Sequence, residues 1–429
     1  MMAMIEKDLI GVGFGPSNLA FAIALAENQA GGRLNSCFIE RSPSFSWHSG
    51  MLIERSKVQI SFLKDLATLR DPTSRFTFVN YLHATGRLQS FINLKQANPS
   101  RAEFTNYFRW AAAAFEDRCC YGETVESVEP VSRNGRVARL LVTSVGSDGE
   151  RRRRMASDLV VGVGGRPYVP PAFEAVGRSR IAHASQYMTR ARPMMDATTK
   201  PMRVAVVGGG QSGAEIFRDI AERWPHVDVS LVLRDHALRP ADDSPFVNEA
   251  FDPSFVDLLQ GLSGERRKAL LNSLRNTNYS VVDLDLIEQI YGLLYERRFA
   301  GASACRLLTR RNVEAVREVD GAVEIETRDV ATDERGGERF DLVILATGYR
   351  YDAHERILAN LASDLGGFEV DRFYRVKTPP SYASRIYLQG CNEDSHGLSD
   401  TLLSILPLRA SEIVDDLLSR EHYPMATAM

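Results

Sequence analysis

Two glycine-rich turns are the segments of this sequence whose residue types and spacing could hold a cofactor. In the first, an apolar run leads to Gly11, Gly13 and Gly15. Gly11 permits a tight turn, and Gly13 lets the backbone approach a pyrophosphate at a helix N-terminus. Pro16 stands where GxGxxG has its third glycine, and proline suits the first position of a helix. The next apolar strand ends in Glu40, where an acid holds a ribose hydroxyl in this kind of fold.

The second turn keeps the full GxGxxG spacing. An apolar strand at 204–207 precedes the run Gly208, Gly209, Gly210, Gln211, Ser212 and Gly213. The strand after it ends in Arg234, a cation that could pair with the 2′-phosphate of NADP. Either unit alone could be a plain tight turn in an α/β domain. Two units, one ending in an acid and one in an arginine, indicate FAD at the first turn and NADPH at the second.

These turns require parallel strands and helices to position them. Apolar strands ending in small residues occur at 160–165 and 342–348, where the chain could pack against a cofactor or cross between domains. Residues 252–300 show helical periodicity, with Leu284, Ile287, Ile290 and Leu294 as the predicted core stripe. We therefore predict an α/β protein with two Rossmann-like dinucleotide-binding domains and a smaller helical substrate region.

The expected domain bounds follow from these elements. The FAD-binding domain is predicted at 1–165 and 340–429, and the NADPH-binding domain at 166–245 and 301–339. The helical substrate-binding region is predicted at 246–300, and the tail from Glu421 is expected to be disordered.

Composition excludes several classes of protein. The chain has 429 residues, enough for two or three domains, and a formal net charge of -3, which disfavours nucleic acid as a partner. Five cysteines without a CxxC disfavour a disulfide scaffold or a zinc site and suit a reducing compartment. The uncharged stretch 9–26 is interrupted by glycines and a proline, as in a strand, turn and helix. We predict a soluble cytoplasmic protein without a membrane span.

FAD with NADPH leaves disulfide reduction, electron transfer to a partner, or oxygen activation. Cys119 and Cys120 are the only close cysteine pair, and adjacent cysteines rarely form a useful disulfide. The eight histidines form no cluster with metal-ligand spacing, and no GxSxG nucleophile motif occurs. Oxygen activation by a flavin needs neither a protein nucleophile nor a metal, so it is the reaction class that fits these residues.

The sequence also resembles the N-hydroxylating flavin monooxygenases of siderophore biosynthesis. The resemblance is to the L-ornithine N5-monooxygenases and, more distantly, to the lysine N6-monooxygenases, and the segment 276–280 (NTNYS) favours ornithine. The similar segments run from residue 8 to about 412 and are found at 45–51, 59–66, 70–73, 244–249, 276–280, 346–349 and 396–404.

The resemblance implies FAD- and NADPH-dependent hydroxylation of L-ornithine by O2 through a C4a-hydroperoxyflavin. The product would be N5-hydroxyornithine for a hydroxamate siderophore. L-Lysine or a diamine such as putrescine is the alternative substrate. A reductase serving a protein partner and a non-catalytic flavin sensor are further alternatives, although the intact second turn speaks against the sensor. The family is usually a tetramer.

The resemblance also implies roles for individual residues. The catalytic candidates are Gln59, near the flavin C4a edge, and Asn278, between nicotinamide ribose and substrate. The substrate candidates are Lys64 for the α-carboxylate, Asn248 for the amino-acid head, and Ser404. The FAD candidates are Gly11, Gly13, Gly15, Pro16, Glu40, Trp47, His48, Gln59, Val125, Thr401, Leu402 and Leu403. The NADP candidates are Arg101, Gly209, Gly210, Gln211, Ser212, Arg234, Asn278, Tyr279 and Ser280.

Simpler interpretations of several candidates stay open at this stage. Lys64 could merely pair with Asp65 or Asp71, and Arg101 could be a plain surface arginine. Asn248 and Asn278 could be turn or cap residues.

Overall fold

The structure is a computed structural model that describes residues 4–299 and 305–419. The predicted disordered tail from residue 421 lies outside these residues. The β-strands, in chain order, are β1 (Ile5–Val12), β2 (Ser36–Glu40), β3 (Cys119–Tyr121), β4 (Glu123–Arg133), β5 (Arg136–Gly146), β6 (Arg151–Val161), β7 (Arg166–Pro167), β8 (Ile181–His183), β9 (Met202–Val207), β10 (Val227–Val232), β11 (Arg239–Pro240), β12 (Val281–Val282), β13 (Cys305–Leu308), β14 (Arg311–Val319), β15 (Ala322–Asp329), β16 (Arg335–Phe340), β17 (Leu342–Leu345), β18 (Tyr349–Arg350) and β19 (Ile386–Leu388).

Most of the α-helices lie between these strands along the chain, and the last two follow β19. In chain order they are α1 (Pro16–Glu27), α2 (Phe78–Ala84), α3 (Leu88–Leu94), α4 (Arg101–Ala112), α5 (Arg192–Asp196), α6 (Gln211–Arg223), α7 (Pro245–Asn248), α8 (Pro253–Gly261), α9 (Gly264–Ser273), α10 (Leu284–Phe299), α11 (Ala353–Ile357), α12 (Ala362–Leu365), α13 (Glu393–His396) and α14 (Leu406–Leu418).

The first sheet has the strand order β3-β2-β1-β6-β5-β4, with β19 paired to the end of β6. Its central strands β2, β1 and β6 run parallel, and β4, β5 and β6 form an antiparallel meander. Leu9 and Ile10 of β1 are fully buried because both faces of a parallel sheet are covered. Helix α1 packs beside α14 on this sheet, so segments far apart in the sequence build one unit.

The second sheet is entirely parallel, in the order β13-β10-β9-β17-β8. The predicted start of the second FAD segment at residue 340 is therefore wrong, because it assigns β17 to the first unit. Strand β17 pairs with β9 and β8, so the chain returns to the first unit only after Leu345. An apolar parallel strand has the same sequence pattern in either sheet, and its partners are distant in sequence.

Two crossovers join the sheets, and both use the small residues that the sequence predicts. Strand β6 leads through Gly162–Gly165 to β7, and β17 leads through Ala346 to β18. Strands β7 and β18 pair with each other in an antiparallel bridge. Gly165 is needed here because a Cβ atom would lie 2.7 Å from the Cβ of Tyr349.

The predicted helical region is present, but its core stripe is shifted. Leu284 is 57% exposed, so its assignment to the core is wrong. Leu286 and Ile290 are the buried residues of α10, with Ile287 and Leu294 partly buried beside them. Leu284 begins the helix and faces away from the stripe that starts at Leu286. No helix among the described residues has the length and apolar character to cross a membrane.

Candidate active site

The first glycine turn packs tightly against the chain that follows β6 and leaves open space at Gly15. Gly13 has φ +82°, and a Cβ atom there would lie 2.6 Å from the carbonyl oxygen of Gly162. Pro16 is the first residue of α1, as predicted, and Gly15 precedes it with no atom within 4 Å of the position that a Cβ would take. The Asn18 amide donates 2.7 Å to the Gly13 carbonyl, which holds the turn in place. Open space therefore faces the N-terminus of α1, where a pyrophosphate binds.

Glu40 lies at the end of β2 and is fixed beside this turn. Its Oε2 accepts from the backbone N–H of Phe14 at 2.8 Å, and its Oε1 accepts from Ser42 N–H at 2.8 Å. Of the other FAD candidates, Trp47 packs edge-on against Phe108 with ring centroids 5.1 Å apart, and Val125 is buried in β4.

His48 follows in the left-handed region, with φ 47°. Its ring centroid lies 6.4 Å from that of Tyr349, which comes from the second crossover. The segment after Glu40 therefore reaches the junction of the two units.

The second glycine turn is as tight as the first. Gly208 has φ +129°, and a Cβ atom there would lie 2.2 Å from the Ala346 carbonyl oxygen. A Cβ on Gly213 would lie 2.1 Å from the Gly208 carbonyl oxygen, so the spacing of the glycines is a steric requirement. Gly210 caps α6, and Gln211 and Ser212 are its first two residues.

Two other NADP candidates, Ser280 and Arg234, lie near this turn, the first against Gly210 and the second exposed beyond β10. A Cβ on Gly210 would lie 3.7 Å from the Cα of Ser280, so the segment 278–280 passes over the turn. Arg234 is exposed, two residues beyond β10, and makes no hydrogen bond or ion pair with the described residues. Its guanidinium is therefore available to an anion.

A chain of hydrogen bonds connects residues from both units and the helical region. Arg101 forms a bidentate pair with Glu215, with both N–O distances 2.9 Å. Glu215 Oε1 also accepts from Gln211 Nε2 at 3.0 Å. The Arg101 side chain is 12% exposed and that of Glu215 is 2% exposed, so the plain-surface interpretation of Arg101 is wrong.

The chain continues from Gln211 to Asp283 and ends at Gln59. Gln211 Nε2 donates to Asp283 Oδ2 at 3.1 Å, and Gln59 Nε2 donates to Asp283 Oδ1 at 2.9 Å. The Asp283 N–H donates to Gln211 Oε1 at 2.9 Å. Protein partners thereby satisfy the side-chain amide of Gln211. Only its backbone N–H is left for the predicted contact with NADP.

The substrate candidates each keep an unused polar atom. Lys64 is half-buried, and its ammonium has no partner among the described residues. The alternative pairing of Lys64 with Asp65 is absent, and Asp65 instead accepts from the Ala67, Thr68 and Phe78 N–H groups and the Thr68 hydroxyl. Asp71 is likewise bound to Thr73, which lowers the pKa of its carboxyl.

Asn248 acts partly as the turn residue that the simpler interpretation expects. Its Nδ2 donates to the carbonyls of Asp243 at 2.7 Å and Ser244 at 3.3 Å, which leaves Oδ1 without a partner in the described chain. Ser404 is 5% exposed, and its Oγ is buried without a hydrogen-bond partner in the described part of the chain. Buried hydroxyls are normally satisfied, so Ser404 indicates a missing partner.

Residues 278–280 meet the C-terminal segment through Tyr279. The Tyr279 hydroxyl donates to Glu393 Oε2, and burial raises the pKa of both groups. The Arg275 guanidinium lies 4.9 Å from the centre of the Tyr279 ring. Asn278 ends the preceding turn and makes no side-chain hydrogen bond among the described residues. Its carboxamide is free to contact a ligand.

The segment with Thr401, Leu402 and Leu403 is anchored by a buried ion pair. Arg409 of α14 and Asp400 are both fully buried and lie 2.7 Å apart. Arg409 also donates 3.0 Å to Ser17 Oγ in the first turn of α1. This pair fixes the C-terminal segment against the first glycine turn.

Sequence reasoning missed the acidic and basic partners in these contacts. Asp283 follows directly after the 276–282 segment, and Glu215 lies within α6, so both stand beside recognised motifs. The signal that could have found them is a charged residue at a position that a Rossmann-like unit normally buries. The missed residues are Glu215, Asp283, Glu393, Asp400 and Arg409.

The residues present fit two dinucleotides. Each turn packs so closely on neighbouring backbone that a Cβ atom would overlap a carbonyl oxygen, and each opens at the N-terminus of a long helix. Near the first turn, Gln389 Oε1 is buried without a partner in the described chain, while its Nε2 donates 2.9 Å to Asn18. No group of metal-ligating side chains occurs among residues 4–299 and 305–419.

Two sheets with parallel central strands, each with a glycine turn at the carboxyl end of such a strand, define an oxidoreductase that uses two dinucleotide cofactors. The chain belongs to the L-lysine 6-monooxygenase/L-ornithine 5-monooxygenase family, whose model matches residues 6–351. It is 51% identical over 397 residues to the L-ornithine N(5)-monooxygenase of Burkholderia cepacia, covering 91% of this chain and 89% of that protein.

Solved structures agree with this assignment. The ornithine hydroxylase of Pseudomonas aeruginosa superposes with a TM-score of 0.91 at 46% identity, covering 96% of this chain and 99% of that one. The ornithine N-hydroxylase of Kutzneria sp. 744, solved with reduced FAD, NADP+ and L-ornithine, gives 0.90 at 36% identity with coverages of 96% and 99%.

Proposed function

We propose that this protein hydroxylates the side-chain amine of L-ornithine at N5, using FAD, NADPH and O2. The relatives named for this reaction support the substrate, and the two turns support the cofactors. The observation that carries the substrate class is the ammonium of Lys64, unpartnered in the described chain and five residues after Gln59. A half-buried cation without a carboxylate partner suits the α-carboxylate of an amino acid.

In this proposal FAD binds at the first turn and NADPH at the second. Bound FAD, once reduced, supplies the activation of oxygen. Gly13 and the N-terminus of α1 hold the FAD pyrophosphate, and Glu40 holds its ribose. Ser212 and the N-terminus of α6 hold the NADPH pyrophosphate, and Arg234 pairs with its 2′-phosphate.

The chain's own residues position the substrate. Lys64 holds the α-carboxylate, Asn248 Oδ1 accepts from the α-ammonium, and Ser404 Oγ supplies a further polar contact. Asn278 lies with Tyr279 on the segment that passes over the second turn, so it orients the nicotinamide half against the substrate. By lying over the second turn, the segment 278–280 also excludes water from the reacting amine.

The same site distinguishes the alternative substrates. L-Lysine is longer by one methylene, which is worth about 1–3 kcal/mol in an apolar pocket. Putrescine has no carboxylate for Lys64. We therefore expect ornithine first, lysine second and putrescine last.

The test is a panel of ornithine, lysine and putrescine with purified protein, FAD and NADPH. We expect N-hydroxylated ornithine as the main product, measured against released hydrogen peroxide. Peroxide alone with every amine would refute the hydroxylation, and a higher kcat/KM with lysine would refute the substrate.

Replacing Lys64 tests the placement of the substrate. Because a hydrogen bond to a charged group is worth about 1.5–3 kcal/mol, Lys64→Ala should raise the ornithine KM roughly tenfold to a hundredfold. NADPH oxidation should stay measurable. Lys57→Ala, an exposed lysine nearby, is the matched control and should leave the KM unchanged. Equal KM values in the two variants would contradict the role of Lys64.

We further propose a cytoplasmic, homo-oligomeric enzyme. All five cysteines are free, which supports a reducing compartment. The tetramer that the family resemblance implies stays a prediction, which light scattering of the purified protein tests.

A further inference from the structure

Asp283 lies where three parts of the chain meet. It stands between β12 and α10, at the start of the helical region. One carboxylate oxygen accepts from Gln59, which belongs to the first unit, and the other accepts from Gln211, the first residue of α6. Its backbone N–H completes a second contact with Gln211. Asp283 therefore joins both cofactor units.

The polarity of these bonds fixes two side-chain amides. An ionised carboxylate only accepts hydrogen bonds, so both glutamines must turn their nitrogen atoms toward Asp283. For Gln211 this leaves no freedom, because its other N–H is taken by Glu215 and its carbonyl by the Asp283 backbone. Gln59 keeps one N–H and its Oε1, and it is exposed.

We propose that Asp283 is a positioning residue for the hydroxylation, and this inference rests on the proposed function. By holding the Gln59 nitrogen, Asp283 decides which Gln59 atoms face the reaction site. By holding Gln211, it locks the N-terminus of α6, where NADPH binds. One carboxylate thus ties the binding of NADPH to the geometry of the step that transfers oxygen, which is the condition for efficient coupling.

Asp283→Asn tests this role with almost no change in shape. The new NH2 group must meet the nitrogen of Gln59 or of Gln211, so one glutamine turns or loses its bond. We expect hydroxylated ornithine per NADPH consumed to fall roughly threefold or more, with peroxide rising to match. The matched control is Asp285→Asn, an exposed carboxylate two residues away, which should keep wild-type coupling. Wild-type coupling in Asp283→Asn would overturn the proposal.

A double-mutant cycle shows through which glutamine Asp283 acts. If the coupling effect passes through Gln59, adding Asp283→Asn to Gln59→Ala should change the coupling ratio by less than about twofold. The Gln211 branch is measured separately, as a rise in the NADPH KM that persists in the Gln59→Ala background. Purely additive losses of coupling would contradict the action through Gln59.

A second variant tests the same bond if Asp283→Asn does not fold. Gln59→Glu changes an exposed side chain and sets two carboxylates against each other, which repel; unchanged coupling in this variant would again overturn the proposal. If the wild-type protein makes no hydroxylated ornithine, the proposed function fails by itself. The NADPH KM of Asp283→Asn against Asp285→Asn still decides whether Asp283 positions α6, and equal values would refute that part.

Discussion

At the first glycine turn the acidic residue Glu40 is hydrogen-bonded to the protein backbone, whereas at the second turn the basic residue Arg234 has no partner in the described chain. Glu40 accepts hydrogen bonds from the backbone of Phe14 and Ser42, so its carboxylate is part of the folded turn. Arg234 is exposed and has no partner in the described chain. The difference teaches that replacing Arg234 should leave the fold unchanged, whereas replacing Glu40 should weaken the first turn.

The largest effect should come from filling the two turns. Gly13→Ala and Gly208→Ala each place a Cβ atom within 2.6 Å of a carbonyl oxygen at positive φ. Strain and overlap of at least about 3 kcal/mol should weaken cofactor binding roughly a hundredfold. Gly13→Ala should lose FAD, seen as missing flavin absorbance, and Gly208→Ala should keep FAD but bind NADPH poorly.

Gly86→Ala separates overlap from backbone strain. Gly86 also has positive φ, at +69°, but nothing lies within 4 Å of a Cβ there. This variant should keep both cofactors, so a similar loss in Gly86→Ala would show that the turns are not special. Full flavin content in Gly13→Ala would show that the tight packing of the first turn is not needed to bind FAD.

The next effect concerns the free arginine. Arg234→Ala should raise the NADPH KM by roughly tenfold to a hundredfold, since a hydrogen bond to a charged group is worth about 1.5–3 kcal/mol. The NADH KM and the melting temperature should stay as in the wild type. Arg239→Ala is the control, because Arg239 already pairs with Asp235 at 2.7 Å. Equal NADPH KM values in both variants would remove Arg234 from the site.

Local features of both turns could be predicted from the sequence, and distant contacts could not. The glycine spacing, Pro16 at the start of α1 and Glu40 at the end of β2 all follow from neighbouring residues. The Arg101–Glu215 pair joins residues 114 positions apart, and Gln211 meets Asp283 across 72 positions. Such pairings depend on how the two sheets are joined, and no local pattern records that.

The strand at 342–345 shows the same limit in the fold. Its four residues are apolar and fully buried, so the sequence identifies a central parallel strand. Apolar residues do not encode which sheet receives them. The predicted bounds assign the strand to the first unit, whereas its hydrogen bonds join it to β8 and β9 of the second.

A smaller effect should show that Glu40 serves the fold as well as the cofactor. Glu40→Gln turns an NH2 group toward the N–H of Phe14 or Ser42, which costs about 1–2 kcal/mol. We expect FAD affinity to fall about tenfold and the melting temperature to fall with it. Glu116→Gln, an exposed carboxylate, is the control. Weaker FAD binding without a drop in melting temperature would abolish the contrast with Arg234.

The smallest effect is a dependence of the free energy of unfolding on pH. Part of this dependence should come from His183, which lies in the second unit. His183 ends β8 and is 6% exposed; its Nδ1 accepts from Ser185 N–H at 3.1 Å and its Nε2 lies 3.0 Å from the Gly348 carbonyl oxygen. Burial lowers the pKa of His183 below its ordinary 6.5. The unfolded chain therefore binds more protons at this histidine. The contribution of His183 to the free energy of unfolding is present above pH 6.5 and is lost as the pH drops below that value.

Thermal unfolding between about pH 7.5 and pH 5.5 measures this loss. His183→Gln removes the titrating group, so the fall in melting temperature with pH should be shallower than in the wild type, whatever its absolute stability. His83→Gln is the control, because His83 is exposed on α2. His354 and His396 are also buried and have their pKa values lowered by burial, so part of the slope should persist in His183→Gln. Identical slopes in both variants would mean that His183 does not contribute to the pH response.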